Sequence, residues 1–563
     1  MIPALLHPTL VAAARTIEPD GEVESLIPTN NPAHGDYQWN FAFRVGKAKK
    51  MNPRALAESL APLLKHDGIV SADVAGPGFI NLKLDDSWLA AQLSRQFNDP
   101  EHGIAAEGRN SDGTPRTVVI DYSSPNVAKR MHIGHMRSTH IGHALDRMHR
   151  AAGWRVIADN HIGDWGTPFG KLMVAWDKWR DEAAYRRDGI GELERLYVMF
   201  GDEVKRDETL AEQARAKTAQ LQRGEAGPTA LWREFLTVSM AEFDAVYRRM
   251  GVTFDETLGE SAYKDDTDGV IADLLAGGVV EESEGAIIAR NGEQVAVVRK
   301  RDGAVTYTAT DLACVRYRMQ RWNPDRIVYV TDMRQQGHFA NLFQLATRWG
   351  VKADLVHAWF GMLVLPEGEM MSTRDGNVIR LVDLLDEAAR RARLIVDDKA
   401  ATLSEAERAD IAEAVGVGSV RYADLSQHPQ TNVTFTWDRM LAMEGNTAPY
   451  LLYSHARAAT LLGKAGESAN VDAITLTDPL ERDLAMALLR YPEAVSHAVR
   501  TSRPNVLGEH LFEIANRFNR FYHELPVLTG GDARASRLGL VDASRAILRH
   551  GLTLLGLRVL DRM

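Results

Sequence analysis

Short apolar runs alternate with stretches of helical periodicity in the middle of the chain, and this alternation limits the fold more than any other feature. The runs are TVVIDYS (117–123), WRVIADN (154–160), RIVYVTD (326–332) and LVHAWFGMLVL (355–365). Parallel strands need a long crossover connection, usually a helix, and such helices cover both faces of the sheet. We therefore predict an α/β fold built on a parallel sheet with helices packed against both faces.

The regions on either side differ in texture. The first part mixes helical periodicity with GPGFINLKL (76–84), a turn followed by an alternating strand, and EGRNSDGTPR (107–116) is a linker by composition. A charged stretch beginning near residue 177 predicts inserted helices, and the last part is almost entirely helical in pattern. The predicted parts are an α+β N-terminal domain (1–108), a central α/β domain (115–430) with a helical insertion (about 177–290), and an all-α C-terminal domain (435–563).

The composition excludes several classes of protein. With 563 residues, of which 45% are apolar, the chain is long enough for three or four domains. It has no apolar run of roughly 18 residues, and its N-terminus lacks the basic residues and the cleavage site of a signal peptide. The single cysteine, Cys314, excludes a disulfide framework and a multi-cysteine zinc site. We expect a cytoplasmic protein without a protein-bound metal.

The net charge of −10 argues mildly against nucleic-acid binding. The charge of the whole chain averages over its domains, however, and two basic clusters occur locally, RVGKAKK (44–50) and RRAR (390–393). Each cluster fits either a solvated surface or a stripe that contacts a phosphate backbone, and both interpretations stay open.

The segment MHIGHMRSTHIGH (131–143) contains the tetrapeptide His-Ile-Gly-His twice. A predicted strand and a loop precede helical periodicity that begins near Ile133, so the first copy lies at a helix start. There the backbone N–H groups have no partner within the helix, and the positive end of the helix dipole favours anions. Gly134 allows a phosphate or a flat group to approach the backbone. We therefore predict that His132 and His135 belong to a phosphate-binding site.

The second copy lies deeper in the same helix, where the helical ladder already uses the backbone N–H groups. His140 and His143 fall with Arg147 and Arg150 on the side away from the apolar stripe. This placement predicts a solvated helix face without a chemical role.

The first copy is one of a series of motifs. In chain order they are SPNVAKRMHIGHMRST (124–139), NHIGDWGTPFG (160–170), LGESAY (258–263), YTATDLA (307–313), GEMMSTRDGN (368–377), FTWDRMLAMEGNTAPYLLYSHAR (435–457) and GLRVLDRM (556–563). Together they resemble the class I aminoacyl-tRNA synthetases, and specifically the arginyl-tRNA synthetase family, over nearly the whole chain. The resemblance implies a tRNA-binding N-terminal domain, a Rossmann-like catalytic domain and a helical anticodon-binding C-terminal domain.

The resemblance also implies a monomeric enzyme that uses ATP with its Mg²⁺, L-arginine and tRNA(Arg) as substrates. The arginine carboxylate attacks the α-phosphate of ATP and releases pyrophosphate. The 2′-hydroxyl of the terminal adenosine of tRNA(Arg) then attacks the arginyl-adenylate. Such an enzyme must mainly orient the reactants and stabilise charge on the phosphates.

Residues that match the ATP site of the family lie in three motifs. The second class I signature, normally KMSKS, reads MMSTR (370–374) here, so both of its lysines are missing. In this family the lysine upstream of the first signature takes over when the second is degraded, which makes Lys129 the best candidate cation and Arg374 a second one. The implied catalytic and ATP-binding residues are Lys129, His132, Gly134, His135, Gly163, Asp164, Gly166, Met371, Ser372 and Arg374.

The arginine side chain is a planar cation, which suitably placed carboxylates bind in bidentate fashion and distinguish from lysine. Asp121 ends the strand before the first signature, and Asp311 follows Tyr307 at the helical spacing i, i+4. The resemblance places these three around the guanidinium, and Ser124 and Asn126 around the backbone amine and carboxylate of arginine. The implied substrate-binding residues are Asp121, Ser124, Asn126, His132, Tyr307, Asp311 and Gln335.

RNA bases outside helices are bound by stacking on aromatic side chains. The resemblance implies that HGDYQWNFAF (34–43) contacts the outer corner of tRNA, although core packing explains Phe43 equally well. In the C-terminal domain most aromatic residues of a helical bundle belong to the core, so only some will contact the anticodon. The implied tRNA-binding residues are Tyr37, Asn40, Phe43, Tyr450, Tyr453, Phe521 and Met563.

Two other functions stay open. One is a different enzyme with the first signature, such as cysteinyl-tRNA synthetase or an adenylyltransferase. The other is a non-catalytic tRNA-binding relative, which would explain the degraded second signature, whereas the intact His132, His135 and Lys129 argue for catalysis. A P-loop ATPase is excluded because the sequence has no GxxxxGK[ST] pattern. Arginine-dependent exchange of pyrophosphate into ATP, with and without tRNA, discriminates among these functions.

Overall fold

The computed structural model describes the whole chain except residues 30, 32–33, 292–293, 365–378, 400–402 and 467. Along the chain, the elements of a five-stranded sheet follow an N-terminal domain and precede a C-terminal group of helices. Within the described residues, no helix is both long enough and apolar enough to cross a membrane.

The N-terminal domain combines an antiparallel sheet with helices. Its elements are α1 (Ile2–Ala14), β1 (Ile27–Pro28), β2 (Tyr37–Trp39), α2 (Phe41–Lys49), α3 (Pro53–Leu60), β3 (Ile69–Ala75), β4 (Phe79–Leu84) and α4 (Asp86–Asn98). The strands lie in the order β1-β2-β4-β3. Ile80, Leu82 and Leu84 alternate along β4 and are buried, because alternate side chains of a strand share one face. This apolar face continues into the core beneath the C-terminal helices.

The central part of the chain contains the parallel sheet, its crossover helices and an insertion. Its elements are β5 (Thr117–Asp121), α5 (Ile133–Ala151), β6 (Arg155–Asn160), α6 (Thr167–Trp179), α7 (Glu182–Arg187), α8 (Gly189–Glu203), α9 (Thr209–Gln222), α10 (Ala226–Met250), β7 (Glu256–Thr257), α11 (Thr267–Ala276), β8 (Glu281–Ser283), β9 (Ala286–Asn291), β10 (Gln294–Arg299), α12 (Tyr307–Trp322), β11 (Arg326–Tyr329), α13 (Gln336–Trp349), β12 (Asp354–His357), β13 (Leu363–Val364), α14 (Leu381–Lys399), α15 (Glu405–Leu425) and β14 (Val433–Thr434).

The predicted parallel sheet is confirmed. Its strands lie in the order β12-β11-β5-β6-β7, and every neighbouring pair runs parallel. In the middle of the sheet, Val119 pairs with Ile327 on one side and with Ile157 on the other. All five residues of β5 are buried, which explains why this strand is a β-branched run without polar alternation.

The run LVHAWFGMLVL supplies strands to two different sheets. β12 ends at His357, whereas β13 begins at Leu363 and pairs in parallel with β14. Between them the chain passes close to its neighbour at Gly361, where a Cβ atom would lie 2.5 Å from the Thr431 carbonyl oxygen. The sequence did not show this interruption because both strands are apolar.

The insertion between β6 and β7 is helical, and α6, α8, α9 and α10 share a core that contains Phe169, Trp176 and Phe235. Helix does not continue to residue 290, however. β8, β9 and β10 form an antiparallel sheet in the order β10-β9-β8. The prediction of helix was therefore wrong for Glu281–Ser283 and Ala286–Asn291.

The C-terminal part is almost entirely helical, as predicted. Its elements are α16 (Trp437–Met440), α17 (Ala448–Ala465), α18 (Pro479–Leu489), α19 (Tyr491–Thr501), α20 (Pro504–Glu524) and α21 (Arg534–Leu554).

The predicted solvated face of α5 is wrong. His140 and His143 are 1% and 2% exposed. His140 Nδ1 lies 3.4 Å from Asp424 Oδ2, and His143 Nδ1 lies 3.5 Å from the Arg421 guanidinium. Both contacts come from α15, and α19, α20 and α21 also pack against α5. Burial lowers the pKa of both imidazoles. The face is polar because it meets charged groups of distant segments within the protein.

Arg137 fastens α5 to the polypeptide that follows the sheet. Its guanidinium is buried and donates to Asp424 Oδ1 at 2.8 Å and to the Gly361 carbonyl at 2.6 Å. Further bonds reach the carbonyls of Thr431 at 3.0 Å and Pro429 at 3.1 Å. One side chain thereby joins α5, α15, the segment before β13 and the segment before β14.

We predict that Arg137→Met lowers the free energy of unfolding by about 3 to 5 kcal/mol, because it leaves the buried Asp424 carboxylate without its arginine. Urea denaturation followed by circular dichroism measures the change. Arg147→Met on the same helix is the matched control, since Arg147 is only half-buried and forms no ion pair with a carboxylate of the described chain, and it should change the value by less than about 1 kcal/mol. Equal effects of the two substitutions would contradict this account of Arg137.

Candidate active site

The candidate site lies where the order of strands reverses. From β5 the chain proceeds outward to β6 and β7, and it later returns on the other side of β5 to form β11 and β12. Ligands of open parallel sheets bind beyond the carboxyl ends of the strands at such a point. Asp121 is the last residue of β5, and the loop 122–132 leads from it to α5.

This loop has an unusual backbone. Ser123, Ser124 and Ala128 have positive φ angles of 73°, 51° and 64°. Residues with a Cβ atom occupy this left-handed region at a cost of about 1–3 kcal/mol each, and such strain concentrates at functional sites. The surrounding structure must therefore hold the loop in place.

The first signature caps α5. His132 is the N-cap residue, and its Nδ1 accepts from the Gly134 N–H at 3.0 Å. In return, the His132 N–H donates to His135 Nδ1 at 3.2 Å, so the two histidines form a reciprocal capping box. A Cβ atom at position 134 would lie 2.7 Å from the His132 ring, which explains the glycine. Gly134 itself is exposed.

Both capping histidines are neutral near pH 7. Burial and the nearby Lys129 lower the pKa of His132, while burial and His132 lower the pKa of His135 to about 3. Neutral imidazoles provide hydrogen bonds to an anion but no positive charge. The charge must come from another group.

Lys129 is such a group. Its Nζ lies 4.5 Å from the centre of the Tyr197 ring, which α8 of the insertion contributes. No carboxylate of the described chain forms an ion pair with Lys129, whereas the adjacent Arg130 binds Asp188 at 2.6 Å. Lys129 therefore remains available to a ligand at the start of α5. Among the described residues, no group of three or more His, Cys, Asp or Glu side chains could hold a metal ion.

The GDWG motif supports the same loop. Val127 N–H donates to the Gly163 carbonyl at 3.0 Å, and Gly163 N–H donates to the Pro125 carbonyl at 3.1 Å. A Cβ atom at position 163 would lie 2.2 Å from Asn126 Oδ1, so only glycine leaves room for that amide. Gly166 has φ 100° and precedes α6. The motif thus positions Asn126, which is exposed.

The prediction that Asp164 contacts ATP needs correction. Its side chain is 3% exposed, and its oxygens accept from the Ser261 N–H at 2.8 Å and the Ser261 hydroxyl at 2.6 Å. Asp164 fastens GDWG to the LGESAY motif, so its carboxylate is not free for a ligand.

The prediction for Asp121 also needs correction. Asp121 is 6% exposed, and its Oδ2 accepts from the buried Arg318 guanidinium at 2.6 Å. The same nitrogen of Arg318 donates to Asp159 Oδ2 at 2.7 Å. The other oxygen of Asp121 accepts from the Ser124 hydroxyl at 3.1 Å. An internal arginine therefore occupies the carboxylate that the sequence assigned to a guanidinium ligand.

Glu260 and Asp311 form a different pair of carboxylates. Asp311 lies one turn after Tyr307 at the start of α12, and Tyr307 is 72% exposed. Burial raises the pKa of Glu260 to about 7, with His161 opposing the shift and the carboxylates of Asp311 and Asp164 contributing to it. Burial and the charges of Glu260 and Asp311 also raise the pKa of Tyr307. The three side chains are thus close enough to interact.

Glu260 was not assigned from the sequence. It belongs to LGESAY, but nothing in that motif pairs it with Asp311, and the two meet only through the packing of α12. Asp311 Oδ2 is bound by His338 Nε2 at 2.5 Å, which raises the pKa of His338. Gln335 is exposed in the turn before α13.

The second signature cannot be placed, because Met370, Met371, Ser372, Thr373 and Arg374 lie outside the described residues. The chain after them contacts the first signature directly. Ile133 N–H donates to the Ile379 carbonyl at 3.1 Å, and Leu381 N–H donates to the Met131 carbonyl at 3.0 Å.

Comparison with known proteins decides the family. Residues 104–437 match the tRNA synthetases class I (R) catalytic domain, residues 451–563 match the DALR anticodon binding domain, and residues 5–84 match the arginyl tRNA synthetase N-terminal domain. The chain belongs to the arginyl-tRNA synthetase family. An arginine–tRNA ligase of Fusobacterium nucleatum is 42% identical over 552 residues, which cover 96% of this chain and 95% of that protein.

Solved arginyl-tRNA synthetases have the same fold. The Thermus thermophilus enzyme matches with a TM-score of 0.84 and 25% identity over 100% of both chains. The Plasmodium falciparum enzyme, at 24% identity, shows the fold alone, with a TM-score of 0.85 over 100% of this chain and 99% of that one. The predicted family and three-part architecture are therefore confirmed.

Two of the predicted tRNA contacts of this synthetase need correction. Tyr37 is fully buried, donates its hydroxyl to Glu493 Oε1 at 3.1 Å, and packs against the Arg490 guanidinium. Phe521 is also fully buried. The Tyr37 ring lies at the junction between the N-terminal domain and α19, and the Phe521 ring belongs to the helical core. Neither ring therefore has a face free to stack on a base.

The remaining predicted tRNA contacts lie nearer the surface. Phe43 is half-buried against Phe79, and Asn40 is the N-cap residue of α2. Tyr453 is 37% exposed. Tyr450 and Met563 are half-buried. These positions leave contact with RNA as a prediction.

Proposed function

We propose that this chain activates L-arginine with ATP and transfers the arginyl group to tRNA(Arg). The observation that carries the proposal is a pair of interacting carboxylates, Glu260 and Asp311, close to the support of the loop that leads to α5: the Glu260 N–H donates to the Ile162 carbonyl at 3.2 Å, next to the GDWG motif. A ligand with a cationic end and a reactive carboxylate can bind the two acids with its cation and present its carboxylate toward the capped start of α5.

Recognition of the guanidinium falls to Glu260, Asp311 and Tyr307 in this proposal. A guanidinium can donate to two carboxylates in one plane, whereas a lysine ammonium is a compact point charge with different geometry. Binding of the cation also favours the ionised form of Glu260, so the substrate lowers its pKa. Ser124, Asn126 and Gln335 hold the backbone amine and carboxylate.

Adenylation then uses the first turn of α5. His132 and His135 orient the phosphates of ATP, which arrives with its Mg²⁺, through their ring N–H groups, because the Gly134 N–H is already bound to His132 Nδ1. Lys129 stabilises the charge that develops on the α-phosphate and on the departing pyrophosphate. In the second step the 2′-hydroxyl of the terminal adenosine takes the arginyl group, while the N-terminal and C-terminal domains hold the tRNA through surface residues that include Asn40, Phe43, Tyr450, Tyr453 and Met563. We expect the enzyme to act as a monomer.

Exchange of radioactive pyrophosphate into ATP tests the proposal. We expect exchange with L-arginine and tRNA(Arg) present, and at least roughly a hundredfold less with L-lysine, because the carboxylate pair selects the planar cation. Binding of tRNA(Arg) without arginine-dependent exchange would favour the non-catalytic relative instead. Exchange with L-cysteine would favour another enzyme that carries the first signature.

The cationic role of Lys129 has its own test. We predict that Lys129→Ala slows exchange by roughly 10²-fold or more, because it removes the charge that the neutral histidines do not supply. Lys171→Ala is the control, since Lys171 is an exposed lysine on α6. A rate for Lys129→Ala within a factor of two of the control would mean that another group stabilises the phosphates.

The arginine pocket should be sensitive to pH. Asp311, whose hydrogen bond raises the pKa of His338, also faces Glu260, whose pKa is about 7, while the neighbouring His357 has its pKa lowered to about 4 by burial. As pH rises, His338 loses the proton that neutralises Asp311, and Glu260 becomes ionised. Both changes favour the guanidinium. We therefore predict that the KM for arginine falls by roughly tenfold or more between pH 6 and 8.5.

The two titrations are separable by substitution. In His338→Gln only the ionisation of Glu260 should remain, so the KM for arginine should change less steeply with pH. The KM for ATP serves as the internal control, because the proposal assigns neither Glu260 nor His338 to ATP. A KM for arginine that is constant over this pH range would contradict the predicted pocket.

A further inference from the structure

One helix of the insertion, α10, binds the loop 122–132. Ser239, Phe243 and Tyr247 recur at i, i+4 and i+8 along α10, and all three are buried. Ser239 Oγ accepts from the Ala128 N–H at 2.9 Å, at the second bend of the loop. Tyr247 Oη lies 2.7 Å from Ser123 Oγ, at the first bend. α10 therefore contacts both bends of the loop 122–132.

The direction of each hydrogen bond from Tyr247 can be deduced. Thr139 donates its only hydroxyl hydrogen to the His135 carbonyl at 2.8 Å, so it must accept from Ser123 Oγ at 2.8 Å. Ser123 has then used its own hydrogen and must accept from Tyr247 Oη. Tyr247 in turn accepts from Asn160 Nδ2 at 3.1 Å.

The other end of the Asn160 amide holds the loop itself. Asn160 Oδ1 accepts from the Ser124 N–H at 3.1 Å. The chain of hydrogen bonds thus runs from the amide that fixes Ser124, through the phenol of Tyr247, to the carbonyl of the second signature histidine. Each member has one donor in use and one acceptor filled, so the orientation of the whole chain depends on the phenol hydroxyl.

We propose that Tyr247 is a positioning residue for arginine, because its hydroxyl fixes Asn160 and Ser123 and thereby holds Ser123 and Ser124 in their left-handed conformation. This inference rests on the proposed function of Ser124 and Asn126 as contacts of the amino acid. No part of Tyr247 needs to touch a substrate. Its action passes through Ser123 directly and through the Asn160 amide, which binds the Ser124 backbone.

Tyr247→Phe removes the hydroxyl and leaves the buried ring in place. Asn160 Nδ2 then has no acceptor and Ser123 Oγ has no donor, so the amide is free to turn away from the Ser124 N–H. We expect the KM for arginine to rise roughly tenfold in pyrophosphate exchange with tRNA(Arg) present, while the KM for ATP changes by less than about threefold. The ATP contacts lie at the start of α5, beyond the part of the loop that loosens.

The matched control is Tyr122→Phe. Tyr122 is also fully buried and adjoins the same loop, but its hydroxyl donates to the Thr253 carbonyl at 3.3 Å. The KM values of Tyr122→Phe for arginine and for ATP should stay within about twofold of the wild-type values. Ser123→Ala breaks the same chain one link further on, keeps the phenol, and should reproduce the rise in KM if Tyr247→Phe does not fold.

The outcomes separate the inference from the proposed function. An arginine KM within twofold of wild type in Tyr247→Phe, an equal rise for arginine and ATP, or the same rise in Tyr122→Phe would each overturn the positioning role. Absence of arginine-dependent exchange in the wild type would instead overturn the proposed function. Melting temperatures of all variants show whether a change in KM accompanies a loss of folded protein.

Discussion

The body of α5 is largely buried, whereas Gly134 in its first turn is exposed, and the site depends on this contrast. The backbone N–H groups of Ile133, Gly134 and His135 are bound within the protein, so the first turn offers an anion the ring N–H groups of its two capping histidines. A first turn can place a phosphate accurately only if the body of the helix is fixed, and here Arg137, His140 and His143 bind partners in or near α15. Besides α15, the C-terminal helices α19, α20 and α21 pack against α5, and α5 itself contacts β5. These helices therefore help to hold α5 against the central sheet.

The distribution of charge explains which carboxylates are free. Asp121 and Asp159 share the buried Arg318, whose single positive charge balances one of the two carboxylates. Asp164 is satisfied by Ser261. Glu260 and Asp311 have no arginine partner: Glu260 has a pKa of about 7 because burial and neighbouring carboxylates oppose its ionisation, and Asp311 is bound by His338. A site that keeps two acids close together without an internal arginine gains stability when a guanidinium enters, since the ligand supplies the missing positive charge.

The sequence predicted the parts of this arrangement that depend on local pattern. β5 followed from its β-branched run, and the helix start at Ile133 followed from the helical periodicity after the predicted strand and loop. The predictions failed where contacts between distant segments determine the structure. The polar face with His140 and His143 looks solvated until α15 is placed against it, and Tyr37 looks available until α19 covers it. Glu260 and Asp311 are separated along the chain, and only the fold brings them into one pocket.

The insertion shows the same limit most clearly. From the sequence, α6 to α10 interrupt the sheet, and loops at the edge of a sheet usually tolerate changes of length. Here the interruption supplies hydrogen bonds to the loop 122–132, three of whose residues adopt a left-handed backbone. Ser239 and Tyr247 bind the two bends of the loop, and the Tyr197 ring packs against the Lys129 ammonium. The insertion and the loop 122–132 are therefore joined by direct contacts, and we expect the helices that interrupt the sheet to position the loop that leads to α5.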